Sequence, residues 1–152
     1  MDKKVCVFNQ TRQSFLGLEV AVADTHLSRL IGLLGSKKLR PDGGLWVVPS
    51  YGIHTIGVLF PIDVVYLDSE HRVIHVIEHL GPFRIAPMRM HAVSVLELPL
   101  RTIYESQTEV GDELLICSPL DMEVHWRALQ ARKLAESQDA VKQGLSCKTS
   151  GG

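Results

Sequence analysis

The sequence predicts a mainly β chain of the α+β class: an antiparallel β-sandwich or barrel with one short helix in its N-terminal region and a longer helix at its C-terminal end. Three observations predict it. Short runs rich in β-branched and aromatic residues recur through the first 118 residues, among them KVCVF, FLGLEVAV, IDVVYLD and RVIHVIEH. Segments of turn composition separate these runs. Apolar residues fall at helical spacing in only two places, one near the start and one after Ser118.

In chain order, residues 4–8 and 15–22 pair as a hairpin through the polar NQTRQ. In DTHLSRLIGLLG, Leu27, Leu30, Ile31 and Leu34 lie at i, i+3, i+4 and i+7, with Asp24 or Thr25 as N-cap and Gly35 as C-cap, specifying a short amphipathic helix. The loop SKKLRPDGG leads into LWVVP, a short buried strand. Pro61 lacks a backbone donor and therefore opens the strand 62–68, which DSEHR turns back into a second strand over 72–79. A proline-punctuated loop spans 81–90, and AVSVLEL (92–98) and ELLIC (113–117) complete the strands, the latter introduced by the turn VGD. A helix covers 119–142, with Met122, Trp126 and Leu129 on a stripe that Lys133 and Glu136 interrupt. Residues 143–152 have no periodicity and read as a flexible tail. The expected organisation is one β domain (1–118), a C-terminal helix (119–142) and the tail (143–152).

Charge and cysteine usage exclude several function classes. Sixteen Lys and Arg against 17 Asp and Glu give a formal charge of -1, which offers no field for nucleic acid or an anionic membrane. The apolar run VCVF near the start is far short of the roughly 7 to 15 residues of a signal-peptide core, so a cytoplasmic chain is expected. No stretch approaches the roughly 18 to 20 apolar residues of a spanning helix. Cys6, Cys117 and Cys147 form no CxxC pair and read as reduced thiols.

RLIGLLG, GLWVVP, IHTIGVLFPIDVVYLD, VLELP and VGD, in that order and at these spacings, resemble the domain-of-unknown-function family 192, an uncharacterised bacterial and archaeal group, over roughly residues 14–117. The resemblance implies a compact, mainly β domain of jelly-roll-like type and no established activity. Two departures stand out: Val58 where the family usually has methionine, and Pro99-Leu100-Arg101 in place of its glycine-bearing LPAG turn.

Strand alternation points to a polar site. It places Asp63 on one face with Val65 and Leu67, opposite Ile62, Val64 and Tyr66, and a carboxylate among hydrophobes requires a donor or cation. His54 is in the same position beside Ile56 and Val58. Arg29, one turn before Gly32 on the first helix, is the expected partner: a helical glycine costs about 1 kcal/mol against alanine and is explained if another segment crosses there. Arg29, His54, Thr55 and Asp63 then form either a buried polar network fixing helix to sheet or a pocket for a small anionic ligand. In the pocket, Thr55 orients the ligand and His54 with Asp63 are the candidates for acid–base chemistry. Arg84, with Arg89, Met88 and Met90 on the 81–90 loop, suits an anionic ligand or a partner surface, or forms a solvated cover. Glu97 points away from Leu96 and Leu98 and reads as an exposed or turn-bonding group.

His71, His75 and His79 are spaced four apart, which on a strand spans about 13 Å, too far for a shared zinc. No nucleophile elbow, phosphate-binding glycine loop or dinucleotide fingerprint is present, so neither metal nor cofactor is expected and no reaction is specified. Three functions follow as expectations. The first is a small soluble binding or accessory module with one polar pocket at Arg29, His54 and Asp63. The second is a small hydrolase or lyase using His54 and Asp63 on an anionic or sugar-like substrate. The third is an interaction subunit, or homo-oligomer, acting through the C-terminal helix.

Overall fold

The computed structural model describes residues 3–25 and 38–149. The expected first helix, with Arg29 and Gly32, falls almost wholly within 26–37 and lies outside the described residues. The chain divides into two compact units, Met1–Ser118 and Pro119–Gly152.

In the first unit, β1 (Lys4–Asn9), β2 (Ser14–Ala23), β3 (Gly43–Val47), β4 (Ile62–Leu67), β5 (Val73–Leu80), β6 (Ser94–Leu98) and β7 (Leu114–Cys117) form one sheet in the order β5-β4-β6-β3-β2-β1-β7. The β1–β2 and β4–β5 hairpins form as expected. Two features depart from the expected antiparallel sandwich. All seven strands belong to a single sheet, and β2 pairs with β3 in parallel, Val22 opposite Trp46. A parallel pair needs a crossover of a dozen or more residues, which the segment between Ala23 and Gly43 is long enough to supply. Periodicity alone reports no strand direction.

The sheet curls into a half-barrel whose edge strands meet at one end. Arg72 and Glu113 form an antiparallel bridge, the Val73 N–H donates to the Asp112 carbonyl at 2.9 Å, and the Gly111 N–H donates to the Val73 carbonyl at 2.7 Å. Gly111, at φ 97°, supplies the left-handed turn in VGD that makes this return possible. One core cluster consequently joins Val5, Val7, Leu16, Val65, Leu96 and Leu114, residues from both halves of the sheet. A second cluster, built on Leu45, Ile62, Val64, Tyr66 and Val95, occupies the other face of the central strands. Segments 51–60 and 81–92 pack on it through Ile53, Val58, Ala86 and Ala92, and the Tyr66 hydroxyl donates to the Pro87 carbonyl at 2.8 Å. Both faces of β4 and β6 are therefore buried.

A short helix that turn composition conceals, α1 (Thr102–Ser106), lies between β6 and β7. The second unit contains the helix α2 (Pro119–Thr149), which runs on past residue 142, where the sequence places the start of a flexible tail. Gln143, Leu145 and Lys148 are good helix formers, but Gly144, Ser146, Cys147 and Thr149 are not, so propensity alone does not account for the extension. No helix among the described residues is long and apolar enough to cross a membrane.

Candidate functional site

Asp63 organises the most constrained part of the sheet. It is 1% exposed and shares its face with Val65 and Leu67, as strand alternation requires. Among the described residues its carboxylate accepts two backbone donors: Oδ1 accepts the His79 N–H at 3.1 Å and Oδ2 accepts the Ile103 N–H at 3.0 Å. The second bond caps α1 from 40 positions away in the chain. Arg101, in the N-cap position, has left-handed geometry (φ 73°, ψ 0°) and offers no side-chain cap of its own. Among the described residues, no bond joins Asp63 to His54.

The two backbone segments that Asp63 holds are both strained. His79 at φ 58° and Arg101 at φ 73° occupy the left-handed region, which costs a non-glycine residue about 1 kcal/mol or more and tends to accumulate at ligand sites. Both line a cleft of about 450 Å³, together with Asp63, Glu78, Leu100 and Tyr104. The Arg101 guanidinium lies 5.2 Å above the Tyr104 ring and 3.6 Å from the Glu105 carboxylate. A second cleft of about 730 Å³ shares Glu78 and Tyr104 with the first and continues to Arg12 and Val110. Its far wall is firm. Asp112 accepts from Asn9 at 2.9 Å and from Arg12 at 3.1 Å, and Arg12 also reaches Glu109 at 2.7 Å. Burial raises the Asp112 carboxyl, but the bonds from Asn9, the Glu109 amide and Arg12 outweigh it and leave the group below its usual range.

Among the described residues, His54, Thr55 and Arg84 do not line this cleft. His54 is exposed and bridges Ile85, whereas the expectation placed its imidazole among hydrophobes. Thr55 is fully buried and acts as a clasp: its hydroxyl donates to the Gly81 carbonyl at 2.7 Å and accepts the Arg84 N–H at 2.8 Å. Thr55→Val keeps the shape and loses both bonds, so it is expected to lower stability by about 1 to 3 kcal/mol, measured by urea unfolding. The Arg84 side chain is exposed. His75 and His79 lie on β5, and no group of three metal-ligating side chains stands together among the described residues.

Glu97 corrects the expected exposure. It does point away from Leu96 and Leu98, but that face is covered, and Glu97 is 6% exposed between Leu45 of β3 and Val64 of β4. Desolvation pushes its carboxyl up to about 7. The β3 backbone approaches so closely that a Cβ on Gly44 would lie 2.8 Å from the Glu97 carbonyl oxygen, which accounts for a glycine there. Glu78, His79, Arg101 and Tyr104 were not legible as site residues. The one available sign was Pro99-Leu100-Arg101 standing where the resembling family has a glycine turn.

Comparison with known proteins agrees with the fold. A UPF0127 protein of Pyrococcus horikoshii is 32% identical over 115 residues, covering 71% of this chain and 96% of the relative. A UPF0127 protein of Thermococcus sibiricus is 28% identical over 116 residues, covering 71% of this chain and 72% of the relative. A crystal structure of a protein of unknown function from Novosphingobium aromaticivorans superposes with a TM-score of 0.65 at 17% identity, covering 75% of this chain and 84% of that one. Another, from Sinorhizobium meliloti and named there as a candidate transcription regulator, gives 0.66 at 20% identity, covering 76% and 94%. At such identities these structures speak for the fold alone. A family model, DUF192, "Uncharacterized ACR", matches residues 7–116. With the order of its strands, its buried aspartate and that match in hand, this chain belongs to the uncharacterised family DUF192.

Proposed function

We propose that the protein is a binding module, without chemistry of its own, that takes a small ligand carrying an anionic group in the cleft beside Asp63. One observation carries the reading: a single buried carboxylate bonds the amides of His79 and Ile103, and the left-handed residues His79 and Arg101 line one cleft with it. Arg101 supplies the anion-binding charge and Tyr104 a flat apolar wall, while Glu78 sets which ligands are excluded. The hydrolase or lyase reading is the less favoured, because both Asp63 oxygens are engaged by amides and neither orients His54.

Amide and side-chain NMR shifts test the proposal during titration with a panel of carboxylates and phosphomonoesters. Perturbations are expected at His79, Arg101 and Tyr104 and not at His54, and Arg101→Ala is expected to weaken binding at least about tenfold. No saturable shift at those three residues up to roughly 10 mM ligand would exclude the reading.

A further inference from the structure

Segments 51–59 and 83–90 zip together over the second core cluster. His54 bridges Ile85, the Thr55 N–H donates to the Arg84 carbonyl at 2.7 Å, the Ala86 N–H donates to the Ile53 carbonyl at 2.9 Å, and the Arg89 N–H donates to the Tyr51 carbonyl at 3.0 Å. The inward side chains of this ribbon, Ile53, Thr55, Val58 and Ala86, belong to the core. The rest of such a ribbon would ordinarily be polar. Here it exposes Ile56, Leu59, Phe83, Ile85, Met88 and Met90, the last three 76%, 76% and 94% exposed.

The charge on this face has one sign. Residues 51–61 and 81–93 contain no Asp or Glu, while Arg84, Arg89, His54 and His91 are all exposed. Arg89 Nη2 lies 3.0 Å from His75 Nε2, which positions it without neutralising it. At the margin, Asp68 borders the cleft beside Met88 and Met90, and its carboxylate accepts the Glu70 and Arg72 amides. The whole-chain charge of -1 conceals this local excess.

We infer that this ribbon is a peripheral docking face for an anionic lipid surface. Protruding apolar side chains flanked by arginines suit insertion among headgroups, where the hydrocarbon accepts the side chains and the lipid charge meets the guanidinium groups. A symmetric contact with a second copy would bring two copies of the same basic face together, with no carboxylate in the ribbon of either to pair Arg84 and Arg89. A rigid protein partner would need preformed cavities for side chains that stand this far out; a bilayer does not. The inference is independent of the ligand cleft.

Sedimentation of the full chain with vesicles tests it. Binding is expected to phosphatidylcholine vesicles containing roughly 30 mol% phosphatidylglycerol and not to phosphatidylcholine alone, and it should weaken as salt is raised. The double variant Phe83→Asp, Met90→Asp is expected to reduce binding at least about tenfold with the circular dichroism spectrum unchanged. Arg84→Ala, which removes only charge at the surface, is expected to reduce it about fivefold. Sedimentation with neither vesicle, equal sedimentation with both, or undiminished binding by these variants overturns the inference. So does concentration-dependent self-association that the aspartate pair abolishes, which would assign the face to a second copy.

Discussion

Glu97→Gln flattens the pH dependence of stability between about pH 4.5 and pH 7, by an amount on the order of 3 kcal/mol. The folded chain holds the Glu97 proton up to about 7, while the unfolded chain releases it near the ordinary value of 4.5. Between those values the unfolded state binds fewer protons, so stability falls as pH rises and the whole penalty is present above about 7. Glutamine carries no ionisable proton and escapes that fall. Urea unfolding of wild type and variant at pH 4.5 and pH 8 measures it, the difference between the two chains cancelling other titrating groups. A difference that is the same at both values would mean that Glu97 is solvated in the folded state and that the covered face is more open than described.

Asp63→Ala is expected to destabilise the protein by about 2 to 5 kcal/mol, because the His79 and Ile103 amides both lose their acceptor. Asp63→Asn retains one acceptor oxygen and sets an NH₂ against the other amide, so its loss should be intermediate. Hydrogen exchange provides the local readout: the Ile103 and His79 amides should lose protection together, and the core amides of β1 and β2 should lose it only to the extent that global stability falls. Wild-type protection at Ile103 in Asp63→Ala would refute the capping role and, with it, the origin of the cleft.

The β pattern was written locally. Alternation in IDVVYLD assigned each β4 side chain to its correct face, Asp63 with Val65 and Leu67, because a strand's period of two holds whatever its neighbours are. The Asp63 partners found among the described residues were not legible in the same way. A buried carboxylate demands donors, and local sequence suggests side chains, but two of the donors are main-chain amides, one of them 40 positions away; the expected partner Arg29 lies outside the described residues. Local cap signals also missed α1, since no Ser, Thr, Asp or Asn stands at Arg101 and the cap arrives from β4. Glu97 was read correctly for direction and wrongly for exposure, because β6 lies between β3 and β4 and both of its faces are buried, which no periodicity within β6 reports.

By itself, the sequence determined the strands, the two hairpins, the alternation that buries Asp63 and the family. Each of these follows from chemistry within a few residues or from a motif carried intact. Only the tertiary structure decided that the sheet is mixed and curled, that Asp63 caps a remote helix, that Glu97 is sealed on its far face and that the acid-free ribbon exposes large apolar side chains. Those outcomes depend on which distant backbone comes to lie beside a side chain. That choice is made by burial and hydrogen bonding across the whole sheet, and no window of sequence contains it.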